Sequence, residues 1–216
     1  EGTKITDAGS MDRLLAGYGP DFLSEYGIRE GILWEDARGG LIMPGLVNTH
    51  CHMSMIPFRG LGDDCKDRLR VFLLPMEEKA MDREMAVLAG RYGICELLLA
   101  GVTTVMDMYY YADDLARAAD DMGIRGIVGE TVMDQATCDA RMPEEAMAMG
   151  EEAMRRYADH PRISVCLSPH GTTTCSPEAA QLINEIYTQE ARRAEGYCRT
   201  VLFPSLLEQV RYLPAG

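Results

Sequence analysis

The stretch 102-VTTVMDMYYYADDLARAADDMGIRGIVGETV-132 holds a β-branched apolar run, an amphipathic segment ending in Gly, and a second apolar run. Two short apolar runs joined by a helix-length connection predict a parallel β-α-β unit, since a parallel pair needs a long crossover. The residues on either side repeat that rhythm. Upstream, 82-DREMAVLAGRYGICELLLAG-101 has helical composition, with Asp82 as N-cap and Gly101 as stop. Further upstream, 41-LIMPGLVNTH-50 is short and apolar, as expected of a fully buried strand. Downstream, 143-PEEAMAMGEEAMRRYADH-160 opens on Pro and two acids and closes on basic residues, the order the helix dipole favours. The strand 162-RISVCLSP-169 follows, then a helix over 176–195 with Ser176 as cap and Pro177 in the first turn.

Four β-α repeats predict an α/β fold with a parallel sheet and helices packed outside it. An open doubly wound sheet and an eight-stranded barrel both begin this way. The first strand is not followed by G-x-G-x-x-G, and no P-loop lysine is present, so nucleotide-binding versions of the open sheet lose support. Polar residues instead recur at the C-terminal ends of the strands: His50 and His52, Asp107, Glu130 and His170. In a (β/α)8 barrel those ends share the catalytic face, and the prediction is the N-terminal half of such a barrel. Residues 1–42, rich in Gly and acids with short β-like pieces and a turn over Asp36–Gly40, are predicted to be part of a small β-sandwich domain. Residues 43–195 carry the first four β/α units, and 196–216 form an atypical C-terminal tail.

The 216-residue chain carries a net charge of −13. An acidic balance disfavours a phosphate-tracking surface and an anionic membrane, so no nucleic-acid or membrane partner is expected. The seven cysteines are scattered without C-x-x-C spacing, and their odd number fits reduced thiols and a cytoplasmic protein.

Two of the four histidines stand one residue apart in 43-MPGLVNTHCHMSMIPFRGLGDD-64. On a regular strand alternate side chains project together, so His50 and His52 could share one ion at about 2.0–2.1 Å for zinc. The plain alternative is a pair of surface or packing histidines. The preceding apolar strand favours the metal.

These residues carry a resemblance. M-P-G-L-V-N-T-H-C-H resembles the first-strand signature of the amidohydrolase superfamily. R-G-L-G-D-D, P-M-E-E, G-V-T-T-V and S-P-H-G-T-T-T-C-S-P-E resemble the branch that deaminates 5′-methylthioadenosine and S-adenosylhomocysteine. Guanine and cytosine deaminases and triazine chlorohydrolases share much of the pattern. The resemblance implies one Zn²⁺ or Fe²⁺ that activates water for attack on a purine-ring carbon, releasing ammonia. It implies that His50 and His52 are metal ligands, that Glu77 (with Glu78 as its rival) holds the ribose hydroxyls, and that His170 contacts substrate. Arg141 is a further candidate for a carboxylate or sugar contact. Each residue has a bland counterpart: acids such as Glu77 and Glu78 are common at a helix start for dipole reasons, and loop histidines such as His170 are often merely solvated. Asp107 and Glu130 are read as a polar rim.

The family's H-x-H-x-x-E on strand five has no match. In 200-TVLFPSLLEQ-209, Glu208 falls where the catalytic glutamate would be, but Phe203 and Ser205 stand at the histidine positions. Catalytic zinc usually takes three protein ligands plus water, and a whole barrel needs about 250 residues. The chain therefore reads as part of an enzyme, possessing half of a metal site. Two further readings stay open: a hydrolase of another heterocycle (guanine, cytosine or a triazine), and a non-catalytic chain that associates through exposed barrel edges, as a homo-oligomer or with a partner. The zinc deaminases of the cytidine type use H-x-E with P-C-x-x-C, and neither is present.

Overall fold

The computed structural model describes residues 38–193, together with Gly9, Ser10, Asp12, Arg13 and Ala16; of residues 189–193 it describes the backbone only. The chain divides into two compact units, Glu1–Pro44 and Gly45–Gly216. The β-domain expected over 1–42 and the tail expected over 196–216 lie almost wholly outside the described residues. In the first unit Arg38 and Gly39 form a turn with φ of 48° and 78°, within the tight turn expected there.

The second unit alternates strand and helix. Its order is β1 (Leu46–Cys51), a 3₁₀ segment (Met53–Phe58), a π-helical turn (Leu69–Leu73) running into α1 (Leu74–Ala80), α2 (Arg83–Leu99), and β2 (Val102–Tyr109). Then come α3 (Ala112–Asp121), β3 (Arg125–Val132), α4 (Pro143–Arg156), β4 (Ile163–Pro169) and α5 (Pro177–Arg193). The punctuation follows the expected chemistry. The Asp82 carboxylate accepts from Met85 N at 2.8 Å and starts α2. Gly101 (φ 81°) and Gly123 (φ 78°) end α2 and α3 in the left-handed conformation that costs glycine least. Pro143 and Pro177 open α4 and α5.

The four strands are all parallel, in the order β1-β2-β3-β4. A doubly wound sheet reverses its strand order partway across, because its helices pack on both faces. Strictly sequential neighbours, each joined by a helix, are the winding of a barrel. Of the two sheets compatible with the β-α rhythm, the barrel type is the one observed. All four C-terminal strand ends lie along one side, which is what places the candidate residues together.

Two expectations are corrected here. The first strand begins at Leu46 rather than Leu41, after Pro44, which has no amide hydrogen to give a ladder. Nor is it fully buried: Leu46 and Val47 are 49% and 61% exposed. β1 pairs only with β2 among the described residues, so apolar content alone overstated its burial. β2, β3 and β4 supply the buried side chains instead, with Val105, Val128 and Ile163 at the centre of a core shared with α2 and α3. A smaller cluster joins Val132 and Leu167 to α4 and α5.

Candidate functional site

Two loops and one helix bring three of the expected residues together. His52 follows β1, Glu77 lies in α1, His170 follows β4, and all three line one cavity of about 90 Å³, with Met55, Met108 and Tyr110 among its other walls.

His52 is half-buried, and its Nδ1 lies 2.7 Å from the carbonyl of Met108 on β2. A carbonyl oxygen only accepts, so Nδ1 carries the hydrogen and Nε2 keeps a free lone pair. Burial lowers the His52 pKa, although the Met108 carbonyl works against it, so the ring is neutral at pH 7. Neutral imidazole with its second nitrogen fixed by a carbonyl is the state in which histidine serves as a metal ligand. His50 is exposed, with its ring at 5.1 Å and 81° from that of His52.

The pair does not sit on a regular strand as expected. β1 ends at Cys51, and the β1–β2 register slips between Asn48, opposite Val105, and Cys51, opposite Asp107. Three steps on β1 therefore match two on β2, a bulge-like irregularity of the kind that re-aims side chains. It turns one ring inward and leaves the other in solvent.

Glu77 is 4% exposed. Its Oε1 accepts from the Tyr109 hydroxyl at 2.7 Å, and its Oε2 receives a longer contact of 3.4 Å from Tyr110. Burial raises the Glu77 pKa, and the two phenols oppose that rise by stabilising the carboxylate. The same burial, reinforced by the Glu77 charge, drives both tyrosines far above their ordinary value, which keeps them donors. Glu78, the rival on sequence, is exposed.

His170 is half-buried. Its Nδ1 is 2.7 Å from the Thr174 hydroxyl, which is itself directed at the Gly171 carbonyl. Again Nδ1 is the occupied nitrogen and Nε2 the free one. Burial, with the nearby His52, lowers its pKa.

Arg141 is exposed and outside the lining of this cavity; its backbone amide donates to Glu145 at 2.7 Å. Glu208 lies outside the described residues. The fourth histidine, His160, accepts from Ile163 N at 3.0 Å and faces Asp120 at 3.4 Å, away from the cavity.

Asp107 and Glu130 are not a polar rim. Asp107 is 0% and Glu130 2% exposed. Asp107 Oδ1 accepts from Met53 N at 2.6 Å and from the Cys51 thiol at 3.6 Å, while Oδ2 has no hydrogen-bond partner. Burial pushes the Asp107 carboxyl up to about 7. Glu130 Oε2 accepts from Ala112 N at 2.9 Å, and Asp139 Oδ2 from Tyr111 N at 2.6 Å. These two acids take the first amide of α3 and the amide of its N-cap Tyr111 (φ 58°), whose own side chain makes no capping bond. Burial and the Asp139 charge push Glu130 well above the ordinary carboxyl range. A buried polar atom without a partner costs about 1–3 kcal/mol, so Asp107 is held at the end of β2 against its own desolvation. The sequence signal was present at both positions, an acid inside an apolar strand, but period alone does not say which face is covered.

A metal needs more than this. Among the described residues no group of three or more His, Cys, Asp or Glu side chains is placed to hold one ion. The His50 and His52 rings, with centroids 5.1 Å apart and the Nε2 lone pair of His52 free, are the side chains here whose chemistry suits such an ion.

Comparison with known proteins agrees with the fold. The chain is 34% identical over 143 residues to the 5-methylthioadenosine/S-adenosylhomocysteine deaminase 1 of Syntrophus aciditrophicus, covering 65% of this chain and 32% of that protein. It is 37% identical to the deaminase of the same name from Symbiobacterium thermophilum, covering 70% of this chain and 35% of that protein. Among solved structures, an adenosine deaminase from Xanthomonas campestris with bound zinc superposes with a TM-score of 0.65 at 30% identity, over 68% of this chain and 34% of the other. The chain thus spans about a third of the length of the curated relatives it matches. The described strands and helices correspond to part of an amidohydrolase barrel. The model of the amidohydrolase family matches residues 41–195, and the chain belongs to that family.

Proposed function

We propose that this chain forms one wall of the active site of a hydrolytic deaminase acting on an adenosine-type nucleoside, such as 5′-methylthioadenosine or S-adenosylhomocysteine. His50 and His52 would be two protein ligands of one zinc ion, or of Fe²⁺. The observation that carries this reading is the meeting of His52, Glu77 and His170 around a single cavity. The names of the relatives supply the substrate class.

A zinc ion bound there would supply a water acidic enough to ionise near neutral pH. The chain's own residues do the rest. His52 offers Nε2 because Met108 occupies Nδ1. Glu77 offers a desolvated carboxylate whose Oε2 has only a 3.4 Å contact. An ionised carboxylate has about four acceptor sites, so Glu77 can take two ribose hydroxyls while Tyr109 holds it in place. That spare capacity favours a nucleoside over a free base such as guanine. His170, neutral near pH 7, presents Nε2 as an acceptor for an N–H of the ring. The acid–base role belongs to Glu208 only by resemblance. Arg141, exposed and outside the cavity lining, is left without a role in this reading. The free cysteines among the described residues fit a reducing, cytoplasmic setting, and no helix among the described residues is long and apolar enough to cross a membrane.

Ammonia release from methylthioadenosine by zinc-supplemented protein tests the reaction, and absence of both stoichiometric zinc and ammonia refutes it. Binding tests the wall separately. Replacing Glu77 by Ala should weaken methylthioadenosine by about tenfold or more, the scale of a charge-assisted hydrogen bond, and leave adenine unchanged. Equal losses for both ligands would exclude the ribose role.

A second reading rests on the exposed Leu46 and Val47 of β1, with Leu88, Tyr92 and Leu99 exposed on α2. An open edge strand is a template for association. Sedimentation of the purified chain distinguishes a monomer from an assembly through these surfaces.

A further inference from the structure

We infer that Asp107 is a positioning residue for the histidine pair, its buried carboxylate clamping Cys51–Met53 against β2 so that His52 keeps Nε2 free for a metal. The inference rests on the metal reading of His50 and His52 and adds a residue to it that no motif singled out.

The β1–β2 ladder slips between Asn48 and Cys51, so regular pairing is lost where the two histidines sit. Past the slip, the Met53 amide finds its acceptor in a side chain. That acceptor is Asp107 Oδ1, at 2.6 Å, and the same oxygen lies 3.6 Å from the Cys51 thiol. The thiol is also 3.4 Å from the Met106 carbonyl. The residue between Cys51 and Met53 is His52, whose Nδ1–H reaches the carbonyl of Met108, next to Asp107 in β2. Residues 51, 52 and 53 are thus each tied to residues 106–108, and two of the four contacts end on one carboxylate oxygen. An acceptor held in a fully buried site keeps its geometry, because the neighbouring packing leaves the side chain no alternative rotamer.

The clamp is reinforced from behind. A Cβ added at Gly93 of α2 would stand 2.4 Å from the Met53 carbonyl, so α2 packs directly on the backbone that Asp107 holds. Met53 is caught between a helix and a strand, and His52 is carried with it.

What the site needs from residue 107 is an acceptor oxygen at Oδ1, and this separates two substitutions that both remove the charge. Asp107→Asn keeps that oxygen; Asp107→Ala loses it. The readout is the His52 tautomer in metal-free protein at pH 8, from long-range ¹H–¹⁵N correlation of the histidine rings, followed by zinc titration of the same samples. Wild type and Asp107→Asn should show His52 with hydrogen on Nδ1. Asp107→Ala should show a mixture of both tautomers and zinc affinity lower by about 10–100-fold, the usual cost of losing an outer-shell partner, while His160 stays unchanged. An Asp107→Ala protein that keeps the Nδ1–H form and binds zinc within twofold of wild type overturns the proposal.

If Asp107→Ala does not fold, the wild-type Met53 amide decides. A downfield, exchange-protected proton supports the clamp, and an amide exchanging as fast as those of exposed loops overturns it. A wild-type chain that shows the expected tautomer but takes up no zinc would count against the metal reading and not against the clamp, because the tautomer is read without metal.

Discussion

His52 and His170 reach the same cavity from the two outer strands of the sheet, and each has its Nδ1 tied and its Nε2 free. They differ in where the tie comes from. His170 is anchored by Thr174, four residues on in its own loop, with its backbone amide on the Val132 carbonyl at 3.1 Å. His52 is anchored by Met108, 56 residues away on the neighbouring strand, through a register slip bridged by a buried acid. A histidine that contacts substrate can sit in a local turn and adjust. A metal ligand must be held within a few tenths of an ångström and needs a rigid frame. The long-range anchoring of His52 and the local anchoring of His170 fit the separate roles proposed for them.

The contrast can be broken in several ways. The largest effect should come from His52→Ala, which removes a proposed ligand and should abolish stoichiometric zinc uptake measured by calorimetry; His170→Ala removes no proposed ligand and should leave uptake essentially unchanged. Equal losses would mean that the two histidines do the same work. Next is Gly93→Ala. Its Cβ would meet the backbone carbonyl of Met53 at 2.4 Å, so the expected cost is about 1–3 kcal/mol of overpacking, read from the urea midpoint. The variant should also disturb His52 more than His170 in ring spectra. Thr174→Val should be milder, weakening methylthioadenosine by about two- to tenfold, as for one neutral hydrogen bond, without changing zinc affinity.

The smallest effect concerns Glu130, at the strand end between the two histidines. Its folded pKa is raised above the ordinary value of 4.5, chiefly by burial and the Asp139 charge. The folded state therefore holds a proton that the unfolded chain releases. Stability from this group is greatest below pH 4.5 and falls as pH rises toward the raised folded value. Glu130→Gln should lose that slope, so the stability difference between variant and wild type should shift in favour of the variant across that window. A difference independent of pH would show that Glu130 is not protonated in the fold.

Much of this was legible before any coordinates, and the failures share a cause. Asp82, Pro143, Pro177, Gly101 and Gly123 marked helix limits correctly because capping and left-handed stops are local chemistry. His50, His52, His170 and Glu77 were singled out by motif, and burial against Tyr109 and Tyr110 separated Glu77 from exposed Glu78. The start of β1 was placed five residues early because Leu41–Met43 are as apolar as the strand itself. Its burial was overstated because exposure depends on neighbours that a single segment does not contain. Asp107 and Glu130 were read as a rim for the same reason: a strand end says where a residue stands along the sheet, and only the packing of β1 and α3 over it says whether water reaches it.

The most direct measurement is zinc titration of the whole chain while the ring nitrogens of its four histidines are followed by long-range ¹H–¹⁵N correlation. The expected result is that the His50 and His52 signals shift together and saturate at one zinc per chain, with His160 unmoved. Signals of His50 and His52 that stay in place under excess zinc, or a response at His160 alone, would contradict the claim that this strand end was built to hold a metal.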